Sequence, residues 1–167
     1  EHWGEMSPDF AVCARGKTQT PIDIQHVVEA AKSEPIKFNY GADASEILNN
    51  GHTVQANIAV GSSITVDGIE FQLKQFHFHT PSENLILGKP FPMEMHLVHA
   101  DKDGNLAVVG VMIQEGKKNA ALAKLWAQMP QHADEKNVLN SIVNPSSLLP
   151  KSQRYYRFDG SLTTPPC

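Results

Sequence analysis

The sequence has little of what marks several large classes of protein. Its 167 residues contain no cluster of lysine and arginine, and 14 basic against 18 acidic residues give a net charge of −4. The basic surface of a nucleic-acid-binding protein is therefore excluded. The longest uncharged apolar run, residues 105–114, is too short to span a bilayer. No repeat is present, which excludes a coiled coil and a collagen. Since an initiator methionine and a secretory signal are also absent, we expect a mature or trimmed product.

Cysteine is equally scarce. Cys13 and Cys167 lie near opposite ends of the chain, without the paired spacing of a zinc ribbon or the C-x-x-C of a redox site. The residues alone leave two interpretations open. One is a pair of reduced, buried thiols, and the other is a bridge that joins the two ends and implies an oxidising compartment.

An apolar content of 41% in a chain of this length predicts one domain over residues 1–167, and its patterning is mostly β. Alternating or β-rich stretches predict strands at 37–40, 53–60, 64–66, 69–80, 93–100 and 106–114. The Asp67-Gly68 pair between two of these stretches predicts a hairpin. Near-continuous apolarity predicts that 106–114 is a central strand covered on both faces. Residues 1–35 contain several prolines and are predicted to be irregular, whereas helices are predicted over 119–129 and over 135–142.

Eight histidines are unusual in so short a chain, and three of them lie on predicted strands. Side chains alternate along a strand, so Gln75, His77 and His79 share one face, with the two histidines about 6.5–7 Å apart at the backbone. Glu94 and His96 share a face of a later strand. If the two strands are neighbours, three neutral imidazoles meet and leave a fourth tetrahedral position open, as in a catalytic zinc site.

Gln75 and Glu94 strengthen this interpretation, because a metal-ligating imidazole usually donates its other N–H to an acceptor that sets the tautomer. Four other histidines have no such acceptor beside them in the sequence, and they are predicted to lie at the surface or to be satisfied by ordinary hydrogen bonds: His2, His26, His99 and His132.

A second metal interpretation stays open. His77-x-His79-x-x-x-Glu83 has the spacing of the first metal motif of cupins, in which Glu83 would be a ligand and iron the metal. The second cupin motif is absent before His96, however. A cupin also gives no reason for the Ser161-Leu162-Thr163-Thr164-Pro165-Pro166 segment.

Seven ordered motifs, spread over the whole chain, together resemble α-class carbonic anhydrase. They are Glu1-His2-Trp3, Gln19-Thr20-Pro21-Ile22-Asp23-Ile24, Asn49-Asn50-Gly51-His52, Gln75-Phe76-His77-Phe78-His79, Ser82-Glu83, Glu94-Met95-His96-Leu97-Val98-His99 and Gly160-Ser161-Leu162-Thr163-Thr164-Pro165-Pro166. The Thr80-Pro81-Ser82-Glu83 stretch resembles the bacterial branch. The resemblance implies a ten-stranded, largely antiparallel twisted sheet with a few short peripheral helices and a zinc ion at the base of a conical cavity.

The resemblance also implies an activity: zinc-dependent, reversible hydration of carbon dioxide to bicarbonate and a proton, by attack of zinc-bound hydroxide. The implied zinc ligands are His77, His79 and His96, with Gln75 and Glu94 as the acceptors behind them. His52 matches the proton shuttle. Thr163 matches the hydroxyl that accepts from the hydroxide and donates to Glu83.

The implied substrate-binding residues are Val98, Val108, Leu162 and Thr164. Bacterial members that resemble this chain support a bridge between Cys13 and Cys167, and hence a periplasmic or secreted protein. The expected partners are carbon dioxide and bicarbonate, without nucleic acid or membrane insertion, and a homodimer is the oligomer we consider.

Two departures from the family pattern bear on these expectations. Family members begin earlier and continue past the Pro165-Pro166 pair, so the domain is expected to be incomplete at both ends. A non-catalytic carbonic-anhydrase-like binding module is the alternative function, although such modules usually lose a zinc histidine and none is lost here.

Overall fold

The computed structural model describes residues 2–30 and 34–167. Within them the chain forms short helices and two sheets. The strands are β1 (Asp23–Ile24), β2 (Lys37–Tyr40), β3 (Ala44–Asn49), β4 (Val54–Ile58), β5 (Ser62–Val66), β6 (Ile69–His79), β7 (Leu85–Ile86), β8 (Lys89–Pro90), β9 (Met93–Ala100), β10 (Leu106–Ile113) and β11 (Glu135–Val138). The helices are α1 (Trp3–Met6), α2 (Ala11–Arg15) and α3 (Ala120–Trp126), with 3-10 turns at Pro8–Phe10 and Pro145–Leu148.

The main sheet confirms the predicted fold class. Its eight strands are all paired antiparallel, in the order β10-β9-β6-β4-β3-β11, with β5 also paired to β6 and β2 to β5. A small sheet of β1, β7 and β8 lies apart from it. The described residues thus place eight strands in the main sheet, not the ten that the resemblance implies. The long strand β6 is central, because it pairs with β9 along one side and with β4 and β5 along the other.

The hairpin predicted at Asp67-Gly68 is confirmed. Strands β5 and β6 pair in register from Val66 and Ile69 outward, and the two turn residues have φ of 50° and 79°. Positive φ at both central positions is the requirement of a type I′ turn, whose twist matches that of the flanking strands.

The helix predicted over residues 135–142 is wrong. Glu135–Val138 forms β11, which pairs with β3, and the backbone N–H of Asp134 donates to Asn49 O at 2.7 Å. Every residue of β11 is exposed, so a helix here would have had no apolar face to bury. The unpaired backbone groups along β3 offer hydrogen bonds that local helical spacing cannot reveal.

The predicted strand over 106–114 exists as β10, but its predicted central position is wrong. Among the described residues β10 pairs only with β9 and lies at the edge of the sheet. Leu106 and Val108 are 48% and 45% exposed. A continuous apolar run shows that side chains can be buried on both faces, but not that other elements cover them.

Helix α3 covers the face of the sheet opposite the histidines. The side chain of Asn119 caps the helix by accepting from the N–H groups of Ala121 and Leu122, and Leu125 is fully buried. The ring of Trp126 packs edge-on against Phe78, with centroids 4.7 Å apart. This face holds the main core, which includes Ile47, Ala56, Phe76, Phe78, Met95, Leu97, Leu125, Val143 and Leu148.

The N-terminal segment, predicted to be irregular, contains the short helices α1 and α2 and is tied to the last residues described. A disulfide joins Cys13 to Cys167 across 154 positions, with Cα atoms 5.1 Å apart. Thr20 and Ser161 add two hydrogen bonds between the same segments, at 3.1 and 2.7 Å. The bridged interpretation of the cysteines is therefore confirmed. No helix in 2–30 or 34–167 is long and apolar enough to cross a membrane.

Candidate metal centre

Three histidines meet on the open face of the main sheet. His77 and His79 project from β6, and His96 on β9 lies directly opposite His77 in the antiparallel register. One ring nitrogen from each lies within 4.8 Å of the other two. Side-chain alternation on the two strands predicted this convergence of three histidines, and the pairing of β6 with β9 produces it.

Hydrogen bonds decide which nitrogens are free. Nδ1 of His77 lies 2.8 Å from Oε1 of Gln75, and Nε2 of His96 lies 3.0 Å from Oε1 of Glu94. An amide or carboxylate oxygen accepts, so each of these nitrogens carries the proton and donates. Nε2 of His77 and Nδ1 of His96 are left as bare lone pairs, the form that a metal ion requires.

His79 supplies the third nitrogen and the clearest sign that a cation fits. Its Nδ1 lies 3.4 Å from Oε1 of Glu83, whereas its Nε2 is buried with no hydrogen-bond partner. A buried polar atom without a partner is costly. A divalent ion ligated by this Nε2, Nε2 of His77 and Nδ1 of His96 would satisfy it, and three imidazoles are the donor set of a zinc site with an open position.

The electrostatics favour the neutral imidazole at His77 and His79. Burial, with the neighbouring His96 and His79 rings, lowers the pKa of His77 to about 3. Burial also lowers the pKa of His79, although the Glu83 carboxylate opposes that shift. Neutral imidazole is the ligating form, so these two side chains are prepared for a cation near pH 7 without having to lose protons.

Glu94 is almost fully buried, and its carboxylate is held by Asn84 as well as by His96. The side-chain amide of Asn84 donates to Oε1 at 2.8 Å, and its backbone N–H donates to Oε2 at 3.0 Å. Burial alone would raise the pKa of Glu94, but the hydrogen bonds from His96 and Asn84 outweigh it and lower the pKa. Oδ1 of Asn84 in turn accepts from the N–H of Ile22 at 2.9 Å, which fixes the amide orientation.

Sequence reasoning missed two residues around Glu94. Asn84 adjoins the Ser82-Glu83 motif, which was the one available signal. Gly110 stands opposite His96 on β10, and a Cβ built on it would lie 2.9 Å from Oε1 of Glu94. Inside an apolar run, nothing marks a glycine as the neighbour of a buried carboxylate.

Two of the four predicted substrate-binding residues lie on the same face of the sheet as the histidines. Val98 and Val108 are cross-strand partners on β9 and β10, on the same face as His96. Leu162 and Thr163 are half-buried and Thr164 is exposed, in the segment that the disulfide ties down. In the part of the chain described, no hydrogen bond joins Thr163 to Glu83, whose Oε2 has no hydrogen-bond partner and lies 3.9 Å from Nδ1 of His96.

His52 lies in an exposed turn between β3 and β4. The side chain of Asn50 accepts from the N–H groups of His52 and Thr53, and Gly51 has a φ of 82°. Thr53 Oγ1 donates to the backbone oxygen of Phe78, the residue between His77 and His79. The turn is therefore anchored to the ligand strand, while no hydrogen bond or ion pair in the described part of the chain joins the exposed His52 ring to the three histidines.

The other four histidines behave as predicted. His2, His26 and His132 are exposed. His99 is fully buried with both ring nitrogens bonded, to the hydroxyl of Tyr40 and to Ala107 O.

An antiparallel sheet that brings three histidine nitrogens together presents the donor set of a catalytic zinc site. Comparison with known proteins identifies the family. The model of eukaryotic-type carbonic anhydrase matches residues 1–167. A carbonic anhydrase of Pectobacterium atrosepticum is 47% identical over 166 residues, 99% of this chain and 68% of that protein.

Solved structures agree. The α-carbonic anhydrase of Photobacterium profundum is 49% identical with a TM-score of 0.93, covering 99% of this chain and 75% of that one. The enzyme of Thermovibrio ammonificans, solved with the inhibitor sulfanilamide, is 46% identical with a TM-score of 0.96, covering 99% and 74%. The chain belongs to the α-carbonic anhydrase family, and the relatives named above are carbonic anhydrases. The cupin alternative is thereby set aside, and Glu83 is outside the group of candidate ligands.

Proposed function

We propose that this chain catalyses the reversible hydration of carbon dioxide with a zinc ion held by His77, His79 and His96. The observation that carries the proposal is the convergence of three ring nitrogens within 4.8 Å, with the second nitrogen of His77 and of His96 already committed to an acceptor. When bound, zinc would lower the pKa of its water to about 7 and so supply a nucleophile at neutral pH. Carbonic anhydrase is the standard example of that shift, so the value is the family's.

Carbon dioxide is apolar and needs an apolar resting place beside the three histidines. Val98 and Val108 supply such a surface, because they are adjacent on the face of the sheet that carries His96. We assign Leu162 and Thr164 to the same binding site on the resemblance. Thr163 and Glu83 would orient the nucleophile, with the Thr163 hydroxyl donating to Oε2 of Glu83, which has no hydrogen-bond partner.

The proton released in each turnover must leave the centre, and this is the role we assign to His52. An acid of pKa about 7 that gives its proton to bulk water at the diffusion limit turns over only about 10³ times per second. Faster turnover needs a side chain that accepts the proton and passes it to buffer, and histidine is the side chain that titrates near neutral pH. The exposure of His52, and the anchoring of its turn to Phe78, support this assignment.

The disulfide supports a periplasmic or secreted location, because such bridges persist in oxidising compartments. A homodimer stays a prediction, which sedimentation equilibrium tests.

The test of the proposed function is metal content measured beside carbon dioxide hydration, with His79→Ala as the variant. We expect about one zinc per chain and hydration activity in the unmodified protein, and loss of most metal and all activity in the variant. His26→Ala, which changes an exposed histidine, is the matched control and should retain both. Stoichiometric zinc in His79→Ala, or no hydration by the zinc-loaded protein, would contradict the proposal.

A further inference from the structure

The Glu94 carboxylate lies in a slot that has two walls. On one side Asn84 donates both its side-chain and its backbone N–H to the two oxygens. On the other side is the backbone of β10 at Gly110. The carboxylate is 1% exposed, so no water competes for its oxygens.

Gly110 matters here for the space it leaves. A Cβ on this residue would lie 2.9 Å from Oε1 of Glu94, closer than a carbon and an oxygen can pack, and 3.8 Å from Cδ2 of His96. The φ of Gly110 is not in the left-handed region, so the backbone itself accepts any residue. Oε1 is also the atom that accepts from Nε2 of His96 and from the Asn84 amide.

We propose that Gly110 is a positioning residue for His96, because its missing side chain lets the Glu94 carboxylate reach Nε2 of His96 and hold Nδ1 toward the metal. The carboxylate of Glu94 lies at the end of a flexible side chain, whereas β10 is paired with β9 along its whole length. An added methyl group would therefore displace the carboxylate and leave the strand in place. The added methyl group would therefore weaken the hydrogen bond from His96 to Glu94 much more than it would destabilise the fold.

This inference rests on the proposed function for the identity of the metal, and Gly110→Ala tests it. Removing an acceptor behind a metal-ligating histidine typically costs 10- to 100-fold in metal affinity. We expect Gly110→Ala to bind zinc at least about tenfold more weakly, measured by competition with a chelator. Gly116→Ala is the matched control, since nothing lies within 4 Å of a Cβ there, and its affinity should be unchanged.

A double-mutant cycle with Glu94→Ala separates positioning from a general structural effect. If Gly110 acts through Glu94, Gly110→Ala costs no further affinity once the carboxylate is gone. An equal loss in both backgrounds, or full affinity in the single variant, would overturn the inference.

A spectroscopic measurement tests the inference even if the Glu94→Ala variant does not fold. The Nε2–H of His96 should give a slowly exchanging imidazole proton signal in the unmodified protein and in Gly116→Ala. In Gly110→Ala we expect that signal to shift and to exchange faster, and an unchanged signal would count against the inference. Failure of the proposed function can be distinguished from failure of this inference. In the first case the unmodified protein would lack zinc or hydration activity, but the His96 signal would still respond to Gly110→Ala.

Discussion

Acid should destabilise this protein through His99, a buried histidine outside the metal centre. His99 is fully buried on β9. Its Nδ1 lies 3.1 Å from Ala107 O, which can only accept, so Nδ1 carries the proton and Nε2 accepts from the Tyr40 hydroxyl at 2.9 Å. Burial lowers the pKa of His99 to about 4, although hydrogen bonds to the backbone of Ala107 and Leu97 oppose the shift. Burial also raises the pKa of Tyr40, so its hydroxyl stays neutral.

The magnitude follows from the difference between the folded and the unfolded chain. A histidine in the unfolded chain titrates at about 6.5, so as the pH falls the unfolded chain takes up the proton first. The stabilisation is complete above pH 6.5 and is lost as the pH falls from 6.5 toward 4. At about 1.36 kcal/mol per pH unit the whole interval is worth about 3 kcal/mol, and the step from pH 7 to pH 5 about 2 kcal/mol.

The assay is urea unfolding of the zinc-loaded protein at pH 7 and pH 5, compared between the unmodified chain and His99→Asn. The asparagine amide can still donate to Ala107 O but cannot take up a proton. We expect the unmodified protein to lose about 2 kcal/mol more than the variant between the two pH values, since contributions from the metal centre cancel in the difference. His132→Asn, at an exposed site, should behave like the unmodified protein. Equal pH dependence in His99→Asn and the unmodified protein would show that His99 does not destabilise the fold in acid.

Two further predictions concern the proton path and the disulfide. His52→Ala should slow hydration without loss of zinc, and concentrated imidazole buffer should restore much of the rate; a defect that buffer cannot repair would assign the proton to another group. Replacing Cys13 and Cys167 by serine should lower the free energy of unfolding by up to about 5 kcal/mol, because the bridge closes a loop of more than 150 residues. Alkylation in denaturant without reductant should label neither cysteine of the unmodified protein, and two labels would contradict the bridge.

The parts of the molecule that follow local rules could be predicted from the sequence. His77, His79 and His96 were placed on shared faces because strand alternation depends only on neighbours along the chain. The Asp67-Gly68 hairpin is equally local, since its turn requires two residues with positive φ. The family resemblance supplied what neighbouring residues cannot indicate, such as the pairing of Cys13 with Cys167.

The parts that failed depend on contacts between distant segments. Glu135–Val138 is a strand because the edge of β3 is open to it, and nothing within those four residues indicates that edge. β10 lies at an edge although its composition is that of a covered strand. The slot around Glu94 brings together Asn84 and Gly110, 26 positions apart, through the β9–β10 register and the loop before β7.

X-ray absorption at the zinc edge of the purified protein shows whether His77, His79 and His96 hold a catalytic zinc ion. We expect four-coordinate zinc with three imidazole nitrogens at about 2.0–2.1 Å and one further light ligand. Sulfur in the coordination shell, a fourth imidazole, or zinc bound by fewer than three imidazoles would contradict it.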